Sequence, residues 1–464
     1  MSAGRETQVC PEGRPPQEPS PLTSPPSTLA EWDRNHFWHS FTQMGEYEPL
    51  VITSAGGCLL EDVEGRRLID GASSMWCNVH GHNHPAINQA ISEQLGRAAH
   101  ITSLGMGCDT TVRLARRLAE LAPGELDRVL FSSDGSSAIE VALKAAFQYW
   151  RQCEQPRPEK TKFLAFGEAY HGDTIGAASV GGIGKFNALF SPMLFDALRA
   201  PSPDAYRRPA GVSEAAACDY YLAETRKLLE RHSEELAAVI IEPLVQCAAG
   251  MVMHPPGFLR GLRELASEFD VLLILDEVAV GFGKTGAMFA CETEQVTPDF
   301  LCLGKGLTGG YLPMAATVTN SRIYEAFLGD HASGRALYHG HTFCGNPLGA
   351  AAALASIELF QTEHTLDNLK PKIRLLGDRF ARLASHPSVT NPRQRGIIGA
   401  ADYAGDSPIG REVAAFALEH GLWIRPQPHM LYVMPPLAIS LEEINRMMDV
   451  IEQGIEHLTG TPMP

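Results

Sequence analysis

Residues 300–313 read FLCLGKGLTGGYLP. Four apolar residues, Phe300 to Leu303, run into a glycine and then a lysine, Lys305, with three more glycines close behind. A short apolar run bounded by glycine reads as a strand buried on both faces. The chain holds nine lysines against twenty-nine arginines. A lysine can lose its proton when desolvated and attack a carbonyl, which arginine cannot do. Lys305 therefore marks one strand end as a place for covalent chemistry.

Working outward, the same strand pattern recurs between helical stretches. Val129–Ser132 precedes a helix predicted over 136–150, and Lys162–Phe166 follows it. Ala237–Ile241 follows a predicted helix at 219–232, and Val271–Leu275 follows one at 257–269. Continuous apolar strands alternating with helices predict an α/β fold with a mostly parallel central sheet covered by helices. Helices are also predicted at 85–98 and 109–122, and GGCLLEDV and RRLIDG read as paired strands about a Glu64-Gly65 turn. Beyond about residue 360 the pattern becomes α+β. Helices fall near 366–384 and 408–420, strands near 396–402, 421–425 and 430–434, and a last helix starts at about 441 behind the capping box of Ser440 and Glu443. The expected organisation is a flexible Pro/Ser-rich extension over 1–30, a large domain over 96–350, and a small α+β domain built from 31–95 and 351–464.

At 464 residues the chain is long enough for two or three domains. A net charge of −16 argues against nucleic acid or an anionic membrane as partner. No apolar run approaches a membrane span, and MSAGRETQVCPEGRPP has no apolar core of a secretory signal. Ten cysteines without a zinc or CxxC spacing read as reduced thiols of a cytoplasmic protein.

Ligands of open α/β sheets sit beyond the C-terminal ends of the strands. The residues just past each strand form a chemically coherent set. Gly135-Ser136-Ser137 opens a helix whose N–H groups and hydroxyls suit a phosphate. Tyr170, in EAYHGD, can stack on a flat ring. Asp276 ends the strand VLLIL, where a carboxylate needs a cationic or N–H partner such as a protonated pyridine nitrogen. With Lys305, these are the parts that pyridoxal 5'-phosphate requires. An apolar strand ending in Asp-Glu also occurs in ATPases, but no GxxxxGK[ST] loop accompanies it.

From about residue 36 onward the sequence resembles the class III, fold-type I pyridoxal-phosphate aminotransferases. The stretches that carry the resemblance include HSFTQM (39–44), DGASSMWCNVHGHNHP (70–85), SSDGSSAIEVALKAAFQYW (132–150), AYHGDTIGAASVGG (169–182), IIEPLVQCAAGM (240–251), LDEVAVGFGKTGAMFACE (275–292), LGKGLTGGYLP (303–313), HGHTFCGNPLG (339–349) and IRPQPHMLYVMPP (424–436). The resemblance implies that Lys305 joins the cofactor aldehyde and shuttles the proton. It implies that Asp276 pairs with the ring nitrogen and that Tyr170 stacks on the ring. Gly135 and Ser136 resemble phosphate ligands, and Thr342 resembles a threonine that reaches the neighbouring subunit's phosphate, which implies a homodimer. Arg425 resembles the arginine that holds a substrate carboxylate, and Phe41, Trp76 and Asp173 fall where the family lines its substrate pocket. AFQYW, AYHGDT and VQCAAGM resemble more narrowly the biotin-pathway branch. That branch implies 8-amino-7-oxononanoate as acceptor, with S-adenosylmethionine or lysine as donor. Other branches, acting on ornithine, 4-aminobutyrate or ω-amino acids, or isomerising their own substrate, share the same cofactor residues.

Three positions depart from the common pattern. Met75 replaces a tryptophan, Lys284 an arginine after Gly-Phe-Gly, and Phe41 a tyrosine. All three are expected on the substrate side, where they bear on the choice of amino donor. His80, His82 and His84 alternate as metal ligands on a strand can, but no acidic or cysteine partner is evident and no metal is expected.

Overall fold

A computed structural model describes residues 26–404 and 408–463. Two compact units divide the chain, Met1–Ser54 with Leu60–Arg67, and Ala55–Leu59 with Leu68–Pro464. In the first, a helix spans Pro26–His36, so residues 26–30 are helical where an extension was expected; residues 1–25 lie outside the described residues. Asp33 on this helix accepts from the Tyr47 hydroxyl at 2.8 Å and pairs with His39 Nε2 at 2.9 Å.

The second unit is built on a seven-stranded sheet. Its spatial order is Leu126–Ser132, Ala315–Asn320, Phe300–Leu303, Leu272–Asp276, Leu236–Ile241, Lys162–Phe166 and Leu198–Ala200. Ala315–Asn320 runs antiparallel to both its neighbours, and the other strands share one direction. Alternate residues face opposite sides of the sheet. On one side Phe163, Ile240, Leu272, Ile274 and Phe300 pack with Ala138, Ile139 and Ala142 of the helix Gly135–Gln152. On the other, Leu164, Val239, Leu273 and Leu301 pack with Phe258, Leu259 and Leu262 of the helix Phe258–Glu268. Burial on both faces is why these strands read as unbroken apolar runs.

The predicted helices and strands of the sheet form within one to three residues of their expected limits. The helix Pro347–Thr362 was not expected. Its sequence, PLGAAAALASIELFQT, is apolar nearly all round, so it shows no amphipathic stripe, and it is correspondingly buried. The strand Ala315–Asn320 was also missed, because AATVTN is short and only half apolar.

Past the sheet, Val389–Arg395, Ile398–Tyr403 and Met430–Val433 form an antiparallel three-stranded sheet. Ile69 and Asp70 pair in parallel with Leu422 and Trp423, so a segment from early in the chain is tied to one near its end. Among the described residues no helix is long and apolar enough to cross a membrane. The last helix, Leu441–Thr459, starts with the expected capping box. Glu443 N donates to Ser440 Oγ at 3.1 Å, and Ser440 N donates to Glu443 Oε2 at 2.8 Å. Ser440→Ala is expected to lower stability by about 1 kcal/mol; a urea midpoint equal to that of the unmodified protein would show that the cap contributes nothing.

Candidate active site

The parallel strands deliver their end residues to one edge of the sheet. A cavity of ≈ 510 Å³ lies there, with Gly135, Ser136, Tyr170, Asp276, Lys305 and Trp76 all in its wall. All but Trp76 lie at or soon after the C-terminal ends of parallel strands, and the shared strand direction is what brings those together.

Gly135 begins an eighteen-residue helix, whose first N–H groups are left to an outside partner. Asp134 caps it by accepting from Ser137 N at 2.9 Å and Ser137 Oγ at 3.0 Å. A Cβ on Gly135 would fall 2.6 Å from Val278, and one on Gly172 would fall 1.9 Å from Ser136 Oγ. The glycines are therefore required by the closeness of the Val278 and Ser136 side chains around this corner, which forms a cradle for an anion.

Asp276 closes its strand almost fully buried. Oδ2 lies 2.7 Å from His171 Nδ1, and Oδ1 accepts from Val278 N at 3.0 Å. His171 Nε2 is buried and finds no partner among the described residues. Tyr170 donates its hydroxyl to Asp173 Oδ2 at 2.6 Å; burial, and next this bond, push its phenol well above the usual range. Its backbone N–H donates to Glu242 Oε1 at 3.0 Å, while Glu242 Oε2 accepts from Cys247 N at 2.9 Å. Burial pushes the Glu242 carboxyl up to about 7, against the pull of His171 and with the repulsion of Asp276.

Lys305 follows Gly304 with a left-handed φ of 39°, which turns its side chain out of the strand line. Its Nζ sits 5.3 Å from the centre of the Trp76 ring. A helix N-terminus, a buried carboxylate, a lysine amine and an aromatic pair around one cavity match, group for group, the phosphate, pyridinium nitrogen, aldehyde and flat ring of pyridoxal phosphate.

Other expected residues lie outside the cavity wall. Asp173 reaches it only through Tyr170. Arg425 is half-buried, and its Nη1 approaches Met75 Sδ at 3.7 Å. Thr342 is exposed, and Phe41 belongs to the other compact unit, where it is exposed. The expectation that Lys284 faces substrate is corrected. It is fully buried, absent from the cavity wall, and spends its ammonium on Ser73 Oγ at 2.7 Å and Asn78 O at 2.9 Å. The sequence could not show this, because lysine on a glycine-rich turn reads as exposed. Glu242, Val278, Cys77 and Tyr311 line the cavity and were not singled out from sequence. Glu242 alone had a signal, as the acidic residue that ends the strand AVII.

The alternating histidines each have another use. His82 Nε2 donates to Asp70 Oδ2 at 2.9 Å, His84 Nε2 lies 3.1 Å from Glu363, and His80 packs edge-on against Phe360 at 4.9 Å. Burial drives the His80 imidazole down to about 4.

Residues 42–455 match the family description Aminotransferase class-III. The adenosylmethionine-8-amino-7-oxononanoate aminotransferase of Geobacter sulfurreducens is 46% identical over 447 residues, which is 93% of this chain and 98% of that protein. The crystal structure of the enzyme of the same name from Methanocaldococcus jannaschii superposes with a TM-score of 0.87 at 38% identity, covering 93% of this chain and 99% of that one. An (S)-enantioselective omega-transaminase from Thermomicrobium roseum superposes with a TM-score of 0.89 at 30% identity, over 94% and 99% of the two chains. With the match running through nearly the whole length, the chain belongs to the class III aminotransferases, a family of pyridoxal-phosphate enzymes.

Proposed function

We propose that this aminotransferase moves an amino group from S-adenosylmethionine or lysine to 8-amino-7-oxononanoate, giving 7,8-diaminononanoate for biotin synthesis. The observation that carries the substrate assignment is the shared name of relatives 38–46% identical over more than nine-tenths of the chain. In this reading Gly135 and Ser136 hold the cofactor phosphate, Asp276 keeps the ring nitrogen protonated, and Tyr170 covers the ring. When bound, the cofactor supplies an aldehyde and a ring that accepts an electron pair. Lys305 Nζ takes the proton from the donor's Cα. Arg425 receives the acceptor's carboxylate, and Trp76 and Asp173 shape the substrate end. His171 orients Asp276 through the 2.7 Å contact. Asp173 holds the Tyr170 hydroxyl, so the ring-stacking face keeps one orientation. The small domain expected from 31–95 and 351–464 is supported, for its part from residue 68 on, by the pairing of Ile69–Asp70 with Leu422–Trp423. The nine described cysteines are free thiols, which suits a reducing cytoplasm.

A homodimer completes the site. The support is an exposed apolar patch around Thr342, made by Leu104, Met106, Tyr338 and Phe343 at 59–72% exposure, a combination usually covered in soluble chains. Leu104 packs beside Gly340, and the His100 ring lies tilted against Phe343 at 4.7 Å.

Half-reactions test the substrates. Loss of the bound cofactor's aldehyde-form absorbance with S-adenosylmethionine alone, or with L-lysine alone, identifies the donor; formation of 7,8-diaminononanoate tests the acceptor. An enzyme that converts only simple amines and ω-amino acids would instead belong with the omega-transaminases. Because Met75 stands where many relatives carry an indole, Met75→Trp is expected to lower the KM for S-adenosylmethionine by a few-fold through ring–sulfonium contact; an unchanged KM removes that role. Lys305→Ala should cut kcat by at least about a thousandfold. Mixing Lys305→Ala with Thr342→Ala protomers is expected to restore activity, since a mixed dimer regains one site with both residues; no recovery after subunit exchange would refute the shared site.

A further inference from the structure

Four consecutive residues that are not glycine adopt left-handed backbone: Ser73, Ser74, Met75 and Trp76, with φ of 48°, 46°, 64° and 72°. Each costs on the order of 1 kcal/mol or more, so such a turn persists only where its surroundings fix it. Two buried charges do so. Asp70 Oδ1 accepts from Ala72 N at 3.2 Å and Ser74 N at 3.0 Å, and Oδ2 accepts from Ser74 Oγ at 3.0 Å. From the other side Lys284 Nζ donates to Ser73 Oγ at 2.7 Å, Asn78 O at 2.9 Å and Pro435 O at 3.4 Å, and Ser73 Oγ donates onward to Met434 O. Ser73 O in turn accepts from Cys77 N at 2.9 Å and Asn78 N at 3.0 Å, and Trp76 N donates to Ala72 O at 2.8 Å. The placement of Ser73 thus sets that of Cys77 directly, and Trp76 is held between Ala72 O, one residue before Ser73, and Cys77; Trp76 and Cys77 both wall the cavity.

We propose that Lys284 is a positioning residue that acts through Ser73 to hold this left-handed turn, and so keeps the Trp76 ring in the cavity wall facing Lys305. It touches neither cavity nor substrate. The inference rests on the aminotransferase family alone and not on the identity of the substrates.

The three acceptors around Nζ use all three N–H groups of an ammonium; a neutral amine has two. Burial lowers the Lys284 pKa to about 8, while Asp70 and the thiols of Cys77, Cys58 and Cys247 act to raise it; His80 also faces it. The charged, three-donor form is therefore complete below about pH 8 and is lost as pH rises through that value. An arginine at this position stays charged throughout.

The experiment compares Lys284→Met, Trp76→Phe, their double variant and Lys284→Arg. Lys284→Met is expected to raise the KM of the amino donor about tenfold with kcat changed less than about threefold, and this rise should vanish in the Trp76→Phe background. Acrylamide quenching of tryptophan fluorescence should increase in Lys284→Met and not in the double variant. The wild-type KM should climb above pH 8, and Lys284→Arg should match the wild type below pH 8 and lack the added climb above it. A KM rise of equal size with and without Trp76, or an alkaline climb unchanged in Lys284→Arg, would overturn the proposal. Should Lys284→Met not fold, the arginine variant's pH profile decides alone. A wild type inactive on 8-amino-7-oxononanoate would refute the substrate reading only. The quenching comparison needs no substrate, and the kinetics can use any amine and keto acid the enzyme accepts.

Discussion

Strands that run parallel must be joined by crossovers, so all of their C-terminal ends meet at one edge. Everything distinctive about this protein's chemistry depends on that constraint. Ser132, Phe166, Ile241, Asp276 and Leu303 end strands of one sheet, and Ser133, Tyr170, Glu242, Asp276 and Lys305, at or soon after those ends, all line the cavity there. The strands themselves are sealed between two apolar layers, which leaves the end residues little freedom to move. A lysine and an aspartate nearly thirty positions apart thereby become neighbours across a single cavity.

Putting charge at the end of a buried strand is costly unless it is paired. The structure meets that cost locally. Asp276 has His171 and a backbone N–H, and Glu242 has two backbone N–H groups. Glu277, beside Asp276, turns the other way and accepts from Ala290 N at 2.6 Å and Cys291 N at 2.8 Å, anchoring a neighbouring turn. Burial pushes both glutamate carboxyls up to about 7, against the N–H donors that favour their charged forms. The chain, of net charge −16, must receive a phosphate and a carboxylate. Local donors, at the Gly135 helix start and at Lys305, work against the overall field.

Two of the nine lysines, Lys160 and Lys284, are fully buried, and they do comparable work. Lys160 Nζ donates to Ser233 O and Asp270 O at 2.8 Å and to Leu236 O at 3.2 Å, with the Trp150 ring 4.6 Å away. Lys284 gathers Ser73, Asn78 and Pro435 in the same manner. In both cases an ammonium with three N–H groups joins acceptors that belong to separate segments. One knot supports the base of the sheet; the other supports the turn beside the active site.

By itself, the sequence determined the parallel α/β core, because unbroken apolar runs such as VLLIL and FLCL are readable wherever both faces are buried. It also placed Gly135, Tyr170, Asp276 and Lys305 together at one cavity, because they fall at or just past strand ends or open helices, where chain direction alone sends them to one edge. Their chemistry is carried by residue type, which a sequence states outright. Tertiary structure alone decided where the remaining residues face. The helix 347–362 has no polar side to betray it, and Ser73 to Trp76 take backbone angles that no local propensity favours. Lys284 is expected on the substrate side but is held by Ser73, Asn78 and Pro435, from two segments that meet it only in the folded chain. Glu242 looks like any strand-end acid until the backbone N–H groups of Tyr170 and Cys247 arrive from elsewhere. These placements depend on contacts between distant segments, and distance along the chain carries no information about which of them will meet.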